Sequence, residues 1–157
     1  MTYILGFLFV SILGTIGHYL YDKTNKNKLI GYLFATDESL YSHMKLGFTP
    51  LLLWMFVEKC KIINNENIIA VVGISMLVFA VTISFSYILT TTIIRKGSPI
   101  INISSFYIGV LLSFIAQFLL INSISLSFYI KIVGNITFIL ILLSYIFQNK
   151  MSVIKRS

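Results

Sequence analysis

Two histidines, a glutamate and a lysine stand where an apolar chain tolerates them least. His18 closes the first apolar run, and Glu38, His43 and Lys45 open the second. At about 100° per helical residue, Glu38, Ser42, Lys45 and Thr49 share one stripe, while Ser39 and His43 form an i, i+4 pair on the adjoining face. Imidazole, carboxylate, ammonium and hydroxyl groups at this spacing support three kinds of chemistry. Lys45 and His43 would draw an anion or phosphate, with Glu38 setting their charge state. His18, Glu38 and His43 would give a divalent metal three ligands and leave a fourth position open, as a catalytic zinc requires. Alternatively His43 would activate Ser39 as a nucleophile. The sequence contains no HExxH, no GxSxG and no nucleotide-binding glycine loop, so none of these rests on an established motif.

Quieter roles exist for the same residues. A ring such as His18 can bond a backbone carbonyl at the membrane interface, Thr36 or Asp37 can cap a helix, and a lysine can snorkel. Pro50 removes a backbone donor just beyond the group and is expected to kink its helix. Two further polar groups accompany the first pair: Ser84, Ser86, Tyr87 and Thr90 to Thr92, then Ser98, Asn102, Ser104, Ser105 and Tyr107. Hydroxyls can bond back to their own helix at little cost, so these carry less weight alone.

The elements that must position these residues follow from composition. Of 157 residues, 57% are hydrophobic and only 11% charged, whereas soluble domains carry roughly 25% charged residues. That excludes an ordinary soluble enzyme. With 2 prolines, 9 glycines and one cysteine, a disordered chain, collagen and a disulfide scaffold fall as well. A bilayer core needs roughly 20 apolar residues per helix, and five stretches qualify: Tyr3 to Tyr21, Ser39 to Val57, Ile68 to Ile94, Ile101 to Ile121 and Leu126 to Phe147. Each must be helical, because lipid satisfies no backbone polar group. The expected fold is all-α, a polytopic transmembrane helical bundle forming a single membrane domain over residues 1–157. Leu29 to Ala35 is too short to cross and reads as an interfacial or re-entrant segment.

The net charge of +7 is scattered between apolar runs rather than striped, so it argues for membrane orientation and against nucleic acid. Lys23, Lys26, Lys28, Arg95, Lys96, Lys150, Lys155 and Arg156 fall on one side of the five-span arrangement. Lys59 and Lys61, offset by Glu58 and Glu66, fall on the other. This places the N-terminus outside and the C-terminus in the cytoplasm. All the polar groups then meet at the inner end, beneath an outer half holding only isolated amides such as Gln117, Asn122 and Asn135. The candidate ligand-binding residues are His18, Tyr21, Glu38, Ser39, Ser42, His43, Lys45, Tyr87 and Asn102, and the candidate metal ligands are His18, Glu38 and His43.

The run His18-x-Leu20-Tyr21-Asp22-x-Thr24, with Phe34-x-x-x-Glu38-Ser39-x-x-x-His43-x-Lys45-Leu46-x-Phe48-x-Pro50, resembles the signature of a family of small bacterial integral membrane proteins of unknown function. That family writes Pro, Asn, Trp and Glu where this chain has Thr36, Asp37, Tyr41 and Ser42, so a second carboxylate beside the histidine is missing. The resemblance implies a shared polytopic fold and a shared inner-face constellation, and no activity.

Three functions fit these readings. The first is a protein that binds or transports a small polar or anionic ligand or a lipid head group. Five spans are few for a transporter, so it would use a second copy or a partner membrane subunit, with Ser11 and Thr15 as a small-residue contact. The second is an intramembrane metal-assisted or Ser/His hydrolase. The third is a structural or accessory subunit in which the charged motif only pins the re-entrant segment.

Overall fold

A computed structural model describes residues 2–61, 67–94, 99–121 and 126–154. Arg95, Lys96, Ser98, Asn122, Glu66, Lys155 and Arg156 lie outside these ranges. Among the described residues the chain is all-helical: α1 (Thr2–Lys23), α2 (Lys28–Leu33), α3 (Leu40–Lys61), α4 (Ile68–Ile88) with a π-helical extension (Leu89–Ile94), α5 (Pro99–Ile121) and α6 (Phe128–Ile154). Each of the five apolar stretches coincides closely with a helix, and the short stretch from Leu29 to Ala35 contains most of α2.

Among the described residues, four helices are long and apolar enough to cross a membrane: Thr2–Lys23, Ile68–Thr92, Ile100–Ile121 and Phe128–Gln148. Helix α3 has comparable length, 22 residues, but Lys45, Glu58, Lys59 and Lys61 dilute its apolar character. Of its described polar side chains, Ser42, Lys45, Thr49 and Glu58 are buried.

The end of α1 shows how the chain turns back. Asn25 and Lys26 adopt left-handed backbone angles, φ 52° and 59°, and the Lys26 amide closes on the Tyr21 carbonyl at 2.9 Å, a helix-terminating arrangement. Asn27 then accepts a hydrogen bond from the Leu29 amide at 2.9 Å and starts α2, as short polar side chains do at an N-cap.

Packing depends on small residues facing large rings. The buried face of α1 carries Gly6, Val10, Ser11, Gly14 and Gly17. Trp54 sits on Gly6, Phe106 on Gly14 and Phe34 on Gly17. Ser11, expected to contact another protein, is instead buried within the chain. Thr15 bonds the Ser11 carbonyl at 2.8 Å and the Tyr107 hydroxyl at 3.0 Å. Ser11 thus lies where α1 approaches α3 and α5 closely, while Thr15 stays exposed beside Tyr107.

Helix α4 lies at the centre and packs on α3, α5 and α6. Its Phe79 and Met76 are fully buried. Gly73 of α4 meets the Gly134 carbonyl of α6, and Gly134 in turn meets the Ala70 carbonyl, so those backbones touch with no room for a Cβ. Pro50, expected to kink α3, lies within the helix, which runs on past it. The carbonyl that loses its amide partner to Pro50 is that of Leu46. A Cβ on Gly14 would lie 2.6 Å from that oxygen, so the freed carbonyl is packed against α1.

Candidate functional site

The lead-in to α3 is built by short polar side chains. Asp37 accepts the Ser39 amide at 3.0 Å and the Ser42 hydroxyl at 2.7 Å, and the Ser39 hydroxyl accepts the Ser42 amide at 3.3 Å. Partial burial by itself would raise the Asp37 carboxyl. The hydrogen bonds from Ser39 and Ser42, helped by the Lys45 charge, outweigh it and hold Asp37 below the usual carboxylate value. Ser39 and Ser42, expected to touch a ligand, thus serve the helix start.

Because α3 begins at Leu40, Glu38 precedes the helix and escapes its phase. It swings away from the stripe of Lys45 and Thr49 and joins the histidines. Its carboxylate lies 3.3 Å from His43 Nε2 and 3.8 Å from His18 Nε2, and the two imidazole centres are 6.0 Å apart. His43 Nδ1 is 2.9 Å from the Ser39 carbonyl. A carbonyl only accepts, so that nitrogen carries the hydrogen.

These three side chains line one edge of a cleft of about 570 Å³ between α1, the end of α4 and the start of α5, within the size range of small-molecule sites. Tyr87 and Asn102 line it too, as the sequence led one to expect. Its deeper end is apolar, with Gly14, Leu46, Ile83 and Phe106. The π-helical turn brings Thr90 and Thr91 to the wall, and their hydroxyls bond the Ser86 and Tyr87 carbonyls at 2.7 to 3.0 Å. Such π segments recur at functional sites. Tyr21 is not in this cleft. It lines a smaller neighbour of about 260 Å³ with Asp22, Thr36 and Asp37, and His18, Tyr19 and Glu38 are common to both.

Ser86 and, away from the cleft, Ser11 depart from the pattern set by the other hydroxyls. Ser75, Thr82, Thr90, Ser105, Ser113 and Ser144 all bond backbone carbonyls of their own helices. Ser86 is 8% exposed, lines the cleft, and its Oγ has no partner. His18 Nδ1 is likewise buried and unpaired. A buried polar atom without a partner costs about 1–3 kcal/mol, so both call for a group that is not part of the chain.

Lys45 is the main correction. It was expected beside His43, but it is buried, 3% exposed, and points to the opposite side of α3. Its ammonium donates to the Gly31 carbonyl at 2.7 Å and to Gln148 Oε1 at 3.4 Å. The Gln148 amide donates to the Tyr32 carbonyl at 3.0 Å. Thr49 donates to the Leu33 carbonyl and pairs with the Tyr145 hydroxyl at 2.7 Å. Three consecutive carbonyls at the end of α2, which a helix leaves without internal partners, are thereby satisfied by α3 and α6. A cation at a helix C-terminus also suits the dipole.

Both catalytic expectations change. The imidazole of His43 bonds the Ser39 backbone rather than its Oγ, so the Ser/His pair is not formed. His18, Glu38 and His43 do converge, but as carboxylate–imidazole pairs. Among the described residues no three His, Cys, Asp or Glu side chains form a group able to hold a metal ion. The Glu38 side chain is 76% exposed, which leaves the three donors without a common enclosed centre.

The other end of α3 holds a polar cluster that sequence reasoning missed. Glu58 is fully buried. Trp54 Nε1 donates to one oxygen at 3.0 Å, and the Gln117 amide donates to the other. The i, i+4 spacing of Trp54 and Glu58 was the available signal, obscured because Glu58 adjoins two lysines and reads as a loop residue.

No curated protein and no solved structure matches the chain. The match that exists is with a family profile described as Family of unknown function (DUF6512), and it spans residues 2–154, close to the whole chain. The chain belongs to that family.

Proposed function

We propose that this is a multi-pass membrane protein, with α1, α3, α4, α5 and α6 spanning, the N-terminus outside and the C-terminus in the cytoplasm, that binds or moves a small polar molecule or lipid head group in the inner-side cleft. The observation that carries this reading is the unpaired, buried Ser86 Oγ in the wall of a cleft edged by His18, Glu38 and His43. The lysines on the turn after α1 support the orientation. The preference for an anion rested on Lys45 and lapses with its turn toward α2. Native mass spectrometry of the protein released from lipid nanodiscs tests the proposal. Wild type is expected to retain a molecule that the cleft-filling Ser86→Phe variant loses. Equal spectra for the two, with both folded, would overturn it.

The accessory reading draws on the Lys45 anchor, which is the pinning of a re-entrant segment that it requires. Under it, Lys45→Met loosens α2 while every cleft substitution leaves the mass spectrum unchanged.

A further inference from the structure

We infer that the ligand of the cleft is an amphiphile with a primary ammonium head and an apolar chain, entering sideways from the bilayer between α1 and α5. This rests on the reading that the cleft is a ligand site. The head follows from the groups left over. In the tautomer that keeps its hydrogen on Nε2, 3.8 Å from Glu38, His18 offers an unpaired Nδ1 lone pair; Ser86 offers an unpaired Oγ; Glu38 offers a carboxylate. All three accept, and an ammonium is the donor-only group with three hydrogens to give.

Charge agrees with this. Among the described residues lining this cleft and its smaller neighbour there is no Lys or Arg, while Glu38 is backed by Asp22 and Asp37. The protonatable groups facing Glu38 are His18 from α1 and His43 from α3. Lys45 is held on the far side of α3 by the end of α2.

The chain follows from the rest of the lining. Beyond the polar end the wall is Gly14, Leu46, Ile83 and Phe106. Ile83 and Thr90 stand seven residues apart, roughly 10 Å along the axis, which accommodates a medium-length alkyl chain. Tyr19 and Ile103, at the two lips, are each 56% exposed, and the same helices expose Ile12, Ile16, Ile108 and Leu112 along their middle, with Thr15 and Ser104 as the polar exceptions there. The opening therefore faces the surface that these helices would turn toward lipid.

Three diazirine-bearing probes of one alkyl length, ending in an amine, a hydroxyl or a carboxylate, test the assignment on the full chain in phosphatidylcholine nanodiscs. Peptides containing Ile83 and Phe106 should be photolabelled about tenfold more by the amine than by the carboxylate, the factor that one good charge-assisted contact supplies. Glu38→Gln and Ser86→Ala should each cut amine labelling about fivefold or more by the same measure, with the helical circular dichroism and melting profile unchanged. Ser86→Phe should abolish labelling by all three probes. Equal or stronger labelling by the carboxylate or hydroxyl probe overturns the ammonium head and leaves a ligand site. Absence of labelling by any probe, while a soluble molecule lost in Ser86→Phe co-purifies, overturns the amphiphile alone. Neither labelling nor a co-purifying molecule overturns both readings.

Discussion

The Lys45 ammonium donates to the Gly31 carbonyl at 2.7 Å, one of three bonds that fasten the end of a short helix whose Ile30 and Tyr32 rest half-buried against the core. Helix α2 has only 6 residues, too few to be stable alone, and no residue of it is buried. Its final carbonyls are captured by Lys45, Gln148 and Thr49. Replacing Lys45 with methionine keeps the length of the side chain but leaves the Gly31 carbonyl unsatisfied. The expected loss is about 1–3 kcal/mol, with faster hydrogen exchange at residues 29–34. Unchanged exchange there would remove the anchoring role.

Gly73 and Gly134 allow the backbones of α4 and α6 to touch. A methyl on Gly73 would meet the Gly134 carbonyl, with its carbon 2.7 Å away, and a backbone cannot rotate aside. Gly73→Ala should destabilise by about 1–3 kcal/mol or more through forced separation of the helices. Gly109→Ala serves as the contrast. Its nearest neighbour is the Phe79 ring at 3.0 Å, a side chain able to shift, so its melting temperature should fall less.

Glu58 holds two donors that have no other acceptor among their described bonds. Glu58→Ala strands the Trp54 indole N–H and the Gln117 amide in the interior, at about 1–3 kcal/mol for each buried group left unpaired. Glu58→Gln retains one accepting oxygen and should cost less. Trp54 is the sole tryptophan, so its emission reports the event directly: a blue shift is expected in Glu58→Ala. Identical spectra in wild type and both variants would mean that the indole is not bonded to Glu58.

Asp37 sets a pH dependence. Its folded-state value is depressed, so the unfolded chain takes up the proton first as pH falls. The stability that Asp37 contributes is present above the unfolded carboxyl value of about 3.9 and is lost as pH drops through the lower folded value. Asp37→Asn should therefore have a flatter melting temperature against pH below about 4. Parallel curves for the two proteins would contradict the hydrogen-bonded cap.

The helices, their approximate ends and the crowding of polar residues at one end were legible in the sequence. Apolar length and the cost of an ionisable group in lipid are local properties, and each segment declares them by itself. His18, Glu38, His43, Tyr87 and Asn102 were found for that reason. Helix rotation is not local. Whether the face bearing His43 or the one bearing Lys45 looks toward α1, α4 and α5 depends on which surfaces fit, and Gly14 against the Leu46 carbonyl and Phe106 decides it. Glu38 joined the histidines because α3 starts two residues after it, a boundary that spacing along a presumed helix could not locate. The buried Glu58 was decided the same way, since its partner Gln117 lies 59 residues on and only the packing of α3 and α5 on the shared neighbours α1 and α4 brings them together.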